Sequence, residues 1–370
     1  MNTDIINKKE FRREIMSKLF AIGPVEMFEE TLEIGGKQVP YFRNDEFSQV
    51  VFSASAGLKR LLFNEKGEII LLTCSGTGAM EATVMNCFTK EDNLIVINGG
   101  SFGNRFVQIC EVHEIPHKVV EVEQGETLTR EMIDEVMGDE EFTGLLVNLD
   151  ETSIGQLYDI EMLSELCKEK DLVLVVDAIS AFLADEVNMD KYGIDAVILS
   201  SQKALSLAPG LSVVALSERM LKRVEEIDSK SIYFDYKDYL KNGERGQTPF
   251  TPAVRVIIEL EDIVKRFEER GIENIINDTH EIAVYFRKRI KEIGLDYPSY
   301  PLSNAVTPVI FPDENADVVY RELIDKYGFT VNPSGGDNAK KMFRVAHVGN
   351  HSIEDTEELV SAIEEIINAK

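Results

Sequence analysis

The chain has 370 residues, 44% of them hydrophobic, and 39 Lys and Arg stand against 66 Asp and Glu for a formal charge of −27 at pH 7. That length supports a large domain with a smaller one beside it and a sizeable buried core, and the negative charge argues against a phosphate-rich nucleic acid partner. No apolar run approaches the roughly 20 residues of a membrane helix, and the opening MNTDIINKKEFRREIM lacks the apolar centre of a secretion signal, so no membrane partner and a cytoplasmic location are expected.

Residues 1–21 mix charge with Ile, Phe, Met and Leu at roughly helical spacing and read as an arm that docks elsewhere. Ile22, Gly23, Pro24 and Val25 follow as a Gly-Pro turn. Arg43 stands near Asp45 and Glu46, with one of which it is expected to make a structural ion pair. Residues 69–73 are a buried strand candidate that runs into Cys74, Ser75, Gly76, Thr77 and Gly78 and then into the helix-forming AMEATVMNCF. A strand, a glycine-rich turn and a helix amino terminus present free N–H groups and a positive dipole end, which is the make-up of a phosphate cup. The next strand, 94–97, leads into the glycine-rich 98–105, where Phe102 is placed either to stack on a flat cofactor ring or to fill core. Strands at 119–122 and 145–149 flank an acidic helical stretch. After them come Asp150, Glu151, Thr152, Ser153, Ile154 and Gly155, and Thr152 is a candidate to cap the helix that begins near Ile160.

The most informative stretch is 172–207. Its apolar run 172–176 is short enough for a strand buried on both faces and ends on Asp177, and the run 196–199 ends on Ser200, Ser201, Gln202 and Lys203. An acid and an amine are thus delivered at the ends of buried strands, where open α/β sheets bind ligands. Pyridoxal phosphate (PLP) chemistry uses such a pair: a lysine holds the aldehyde as a Schiff base and an acid pairs with the pyridinium nitrogen. Taken singly, Asp177 also reads as a strand-end cap and Lys203 as a surface lysine. Residues 211–216 return to the sheet, and strands alternating with helices along 69–216 predict a mostly parallel sheet covered on both faces. The loop KNGERGQTPFTPA at 241–253 precedes a long amphipathic helix at 255–270, and 271–370 alternates helix and strand. In 341–349, Arg344 is a lone arginine in an apolar strand, costly to bury unless it meets a carboxylate from a ligand or from the chain. His347 reads as structural. Cys74, Cys87, Cys110 and Cys167 form no CxxC pair and have no His at metal-ligand spacing, so buried, reduced thiols and no metal are expected, with Cys74 near the site.

Ser200, Ser201, Gln202, Lys203 and Ala204, followed by Pro209 and Gly210, resemble the cofactor-lysine segment of class V aminotransferases, in particular the alanine/serine–glyoxylate and 2-aminoethylphosphonate–pyruvate branch, and the resemblance covers nearly the whole chain. It implies the α/β architecture of PLP-dependent transferases of fold type I: a large domain with a mostly parallel seven-stranded sheet and a smaller carboxyl-terminal α+β domain, divided as arm 1–21, large domain 22–270 and small domain 271–370. It implies that Lys203 carries the cofactor and Asp177 pairs with its ring nitrogen. Ser75, Gly76 and Thr77 would bind the phosphate, Phe102 would stack where relatives often have tryptophan, Thr152 would bond the ring hydroxyl oxygen, and Gln202 would line the cofactor beside Lys203. Thr251 would reach the phosphate of a neighbouring subunit, which implies a homodimer with shared sites, while Thr248 stands where several relatives have tyrosine. Arg344 would bind the substrate carboxylate, and Arg43 an anionic group. Asn148, Leu149 and Asp150 depart from the pattern, since many relatives carry a histidine there. The implied substrates are a small amino acid of alanine or serine type and a 2-oxo acid such as glyoxylate or pyruvate, used in ping-pong order. The alternatives are 2-aminoethylphosphonate–pyruvate transamination, or a class V lyase or desulfurase, which would need a nucleophilic cysteine in a mobile loop.

Overall fold

In the computed structural model, which describes residues 18–369, the apolar runs become seven strands of one sheet: β1 (Glu68–Leu72), β2 (Leu94–Asn98), β3 (His117–Glu121), β4 (Gly144–Asn148), β5 (Val173–Asp177), β6 (Ala196–Ser200) and β7 (Ser212–Leu216). Their order is β1-β7-β6-β5-β4-β2-β3. The pairs β2 with β3, β2 with β4, β4 with β5 and β5 with β6 are parallel, and β7 runs antiparallel between β6 and β1. The reversal at β7 follows from its connection, since 201–211 holds no crossover helix of the kind that parallel pairing requires.

The central strands are buried throughout because their side chains alternate between two cores. Leu145, Val147, Leu174 and Val176 face one cluster, and Leu146, Val173 and Val175 face the other. Helices cover both faces; those that position the site are α1 (Asp45–Leu61), α2 (Gly76–Cys87), α3 (Gly103–Val112) and α4 (Ile160–Lys170). The expected amphipathic helix is α5 (Val254–Arg270), which packs on α1 and is followed by α6 (Ile272–Glu292). A three-stranded antiparallel sheet of β8 (Val306–Ile310), β9 (Asn332–Pro333) and β10 (Met342–Ala346), in the order β8-β10-β9, packs with α6 and α7 (Ile353–Asn368) around a third core. Residues 1–17 of the expected arm lie outside the described residues. The part that is described, Lys18–Leu19, pairs in parallel with Phe329–Thr330, and Phe20 enters the third core.

Two local expectations are corrected. Helix α4 is capped by Asp159, whose Oδ1 accepts from Glu161 N (3.0 Å) and Met162 N (3.1 Å); a cap must directly precede the first turn to reach those N–H groups, and Thr152 lies instead beside a hairpin formed by Asp150–Glu151 and Gln156–Leu157. Arg43 does not pair with Asp45 or Glu46 among the described residues. Those acids sit in the first turn of α1, where the helix dipole favours them, and the Arg43 guanidinium donates to Thr248 O (2.6 Å), Pro249 O (3.0 Å) and Gln247 Oε1 (3.2 Å). No described helix is long and apolar enough to cross a membrane.

Candidate active site

Because β1, β2, β4, β5 and β6 run the same way, the segments that follow them meet at one edge of the sheet. After β6 the chain makes a tight loop, closed by Ser201 N to Leu211 O and Leu207 N to Ser201 O (both 2.9 Å), and this loop carries Lys203. The Lys203 Nζ donates to the carbonyl of Ile22. The Gly-Pro turn lies directly against the lysine, held there by Val25 N donating to Gln202 O (3.2 Å). Gly23 is needed for that approach: its φ is +114°, and a Cβ would come within 2.9 Å of Lys203 Cε. Burial pulls the Lys203 amine down to about 8, against the pull of Asp150 and Asp177 and with help from Arg344.

Asp177 is the last residue of β5, in register with Asn148 on one side and Ile198 on the other. It is 6% exposed. Its Oδ1 accepts from Ile179 N (2.9 Å), and burial pushes its carboxyl up to about 7 although that N–H and Lys203 favour the charged form. The glycine-rich turn packs against the same strand end, since a Cβ on Gly76 would lie 2.4 Å from Ile179 Cδ1. Ser75 is the N-cap of α2, accepting from Gly78 N at 3.5 Å. Thr77 Oγ1 accepts from Arg105 Nη1 (2.6 Å), and the Arg105 guanidinium lies 5.2 Å from the centroid of the Phe102 ring. Cup, aromatic and arginine are therefore one assembly. Arg105 was not singled out from the sequence; its signal there is the three-residue spacing from Phe102 at the start of a helix.

The hairpin after β4 closes another side. Glu151 is fully buried and accepts from Gly103 N (2.9 Å) and Asn148 Nδ2 (3.2 Å), which ties this hairpin to the Phe102 loop. Thr152 Oγ1 bonds Ser180 Oγ at 2.6 Å, and the Thr152 carbonyl accepts from Arg344 Nη1 at 2.8 Å. Arg344, on β10, also donates from Nη2 to Pro333 O (3.3 Å), while its buried Nε has no partner among the described residues. Burial lowers its pKa, which Asp150 and Glu151 partly offset. Gln202 Oε1 accepts from Ser200 Oγ at 2.7 Å.

Lys203, Asp177, Thr152 and Arg344 thus converge, with Ser75, Gly76, Thr77 and Phe102 at the adjoining strand ends. Arg43 and Thr251 make no hydrogen bond to these residues among the described residues; their loop instead reaches the strand end just before the glycine-rich turn. Thr251 is exposed on the 247–253 loop, between Phe250, stacked on Tyr233 (5.4 Å between centroids), and Ala253, whose N–H donates to Thr73 Oγ1 (2.9 Å). The Thr248 hydroxyl donates to Phe250 O (2.7 Å). Cys74 is half-buried beside the cup, and burial pushes its thiol up to about 11. His347 is buried with Nε2 bonded to Thr307 Oγ1 (2.8 Å), as a structural histidine should be.

Known proteins resemble this chain along nearly its full length. A family model described as aminotransferase class-V matches residues 40–330. An uncharacterized aminotransferase of Methanocaldococcus jannaschii is 29% identical over 345 residues, 91% of this chain and 89% of that protein. The L-aspartate–glyoxylate aminotransferase of Paracoccus denitrificans is 25% identical over 341 residues, 90% of this chain and 86% of that protein. The solved alanine–glyoxylate aminotransferase from Nostoc sp. shares the fold, with a TM-score of 0.89 at 24% identity over 95% of each chain.

Proposed function

The chain belongs to the class V aminotransferase family, and from that premise we propose that Lys203, Asp177 and Arg344 are the working centre of a transaminase for small amino acids. It is a PLP-dependent enzyme of fold type I that transfers an amino group to a 2-oxo acid. The observation that carries the assignment of residues is the meeting of one half-buried lysine and one buried acid that follow neighbouring parallel strands, both drawn toward neutrality by loss of solvent.

The residues fit the cofactor. Asp177 is a buried carboxylate with one N–H bonded to it and no cation in direct contact among the described residues, which suits a pyridinium N–H. The amino end of α2 offers backbone N–H groups to a phosphate. When bound, PLP supplies an aldehyde that takes up amines and a ring that accepts electrons. Lys203, its amine pulled down to about 8 and so far more often neutral near physiological pH than an ordinary lysine, would take a proton from the substrate Cα and return it. Asp177 would pair its negative charge with the ring nitrogen of the cofactor. Arg105 fixes the Thr77 hydroxyl, Phe102 would supply a flat face for the cofactor, and Gln202 and Thr152 would help hold it. The bare Nε of Arg344 is a donor reserved for the substrate carboxylate.

The donor we infer is of alanine or serine type and the acceptor glyoxylate or pyruvate, a reading supported by the glyoxylate specificity named for the Paracoccus relative. The exposed Thr251 supports a homodimer in which each subunit completes its partner's phosphate site, and the same reading takes 22–270 and 271–370 as the large and small domains of a cytoplasmic enzyme. The test is the absorption spectrum of the purified protein with alanine, serine or aspartate added singly and no oxo acid. Conversion of the visible band to the near-ultraviolet band of pyridoxamine phosphate by alanine or serine is expected. A protein that holds PLP but is converted by no donor is not the transaminase inferred here. Light scattering during gel filtration reads the dimer, and Thr251→Ala should weaken PLP binding in it.

A further inference from the structure

Asp150 is 2% exposed, and neither of its carboxylate oxygens has a well-aligned hydrogen-bond partner among the described residues, although the Ser180 hydroxyl lies near enough to favour the charged form. Buried carboxylates are ordinarily bonded or paired, and one that is not requires a reason. A loose backbone is not the reason, because Asp150 pairs with Leu157 in the hairpin and its carbonyl accepts from Thr152 Oγ1 (3.3 Å) and Ser180 Oγ (3.4 Å).

The charged groups around it come from every element of the site. Lys203 in the loop after β6, Arg344 on β10 and Arg287 on α6 are all near enough to interact with it electrostatically. Asp185 and the adjacent Glu151 add negative charge, and the phenols of Tyr158 and Tyr300 lie close by. Both arginines donate elsewhere: Arg344 through Nη1 and Nη2 to Thr152 O and Pro333 O, with only Nε left over, and Arg287 to Thr307 Oγ1 (2.9 Å) and Ser303 O (2.5 Å). Asp185 accepts from Ser303 Oγ (2.5 Å) and Asn304 Nδ2 (3.0 Å). Lys203 remains, its Nζ bonded to the Ile22 carbonyl.

We propose that Asp150 is a proton-exchanging residue of this site, acting between its own carboxyl group and the amine nitrogens that occupy the space beside Lys203. The inference rests on the transaminase reading. As a carboxylate, Asp150 accepts a proton from an arriving ammonium group. An N–H bond breaks, its electron pair stays on nitrogen, and an O–H bond forms on the carboxylate, leaving a neutral amine able to react. The acid later returns the proton to a leaving or resting amine, so no oxidant or further reactant is needed. Burial pushes the Asp150 carboxyl up and pulls the Lys203 amine down, which brings an acid and an amine that ordinarily titrate far apart toward a common range.

The deciding variant is Asp150→Asn, which keeps the size but cannot exchange the proton. In the cofactor-free protein, pH-dependent acetylation of Lys203 read by mass spectrometry gives the titration of its amine directly. Loss of the neighbouring negative charge should lower that midpoint by about half a unit or more. In the holoenzyme, kcat/KM for the amino donor at neutral pH should fall about 100-fold, the usual scale of a positioned proton carrier, with loss of the ionisation near pH 8, and Asp150→Glu should recover part of both. A labelling midpoint that does not move overturns the proposal, as does an unchanged pH profile of kcat/KM. If Asp150→Asn fails to fold, Asp150→Ser goes through the same labelling. Failure of the transaminase reading looks different, as a native protein that takes up no PLP, and the labelling of the cofactor-free chain still decides the role of Asp150.

Discussion

Burial sets the chemistry of individual side chains here more than any single neighbour does. Lys203 loses solvent and its amine drops to about 8, so PLP capture by the cofactor-free protein should speed up as pH rises through 8. For an exposed lysine the same rise centres near about 10.4, and a stopped-flow midpoint there would contradict the buried amine. Lys203→Ala should abolish the visible absorption band and lower turnover at least about a thousand-fold. Asp177→Asn replaces a charge-assisted bond, worth about 1.5–3 kcal/mol, by a neutral one, so PLP affinity should fall about 10–100-fold in a titration followed by fluorescence. Equal affinity in that variant would remove Asp177 from the ring nitrogen. The positions of Lys203, Asp177 and the glycine-rich turn were legible in the sequence because each sits at the boundary of an apolar run, and such boundaries are local signals.

At the scale of elements, placement depends on turns and caps. The Gly-Pro turn is a weak signal in the sequence, but it presses on the lysine through Gly23, whose positive φ and 2.9 Å clearance leave no room for a side chain. Gly23→Ala should therefore leave a folded protein that captures PLP more slowly, since the new methyl displaces the Lys203 amine; an unaltered capture rate would mean that the turn is only a connection. Asp159→Ala removes the cap of α4 and should cost about 1 kcal/mol in denaturant unfolding with little change in turnover. The sequence suggested Thr152 for that cap because both positions precede the helix. Only the hairpin between them, which turns Thr152 toward Ser180 and Arg344, separates a capping residue from one in the site.

For the whole molecule, the two buried acids make stability depend on pH. Folding raises the titration of Asp177 to about 7 and of Asp150 to about 8, so their contribution is full below the ordinary carboxylate range and is lost as pH rises through those values. Thermal melts of the cofactor-free protein across pH 4 to 8.5 should show Asp177→Asn gaining on the native chain as pH rises. PLP, which brings a cation to Asp177, should remove much of that difference. Parallel melting curves at every pH would show that the carboxyl titrates normally.

The sequence by itself determined the strands, the class of sheet, and which strand ends carry an acid, an amine and a glycine-rich turn, because apolar runs, glycine turns and helix starts are written in neighbouring residues. The tertiary structure alone decided what meets across the chain. Arg344 comes from β10 to the Thr152 carbonyl, Arg105 crosses to Thr77, and Arg43 turns from the adjacent acids to the carbonyls of Thr248 and Pro249. Asp150 lies bare in a pocket of charge that no local pattern announces. Such contacts join residues far apart in sequence, and the burial that shifts their titration exists only once the sheets and helices have packed.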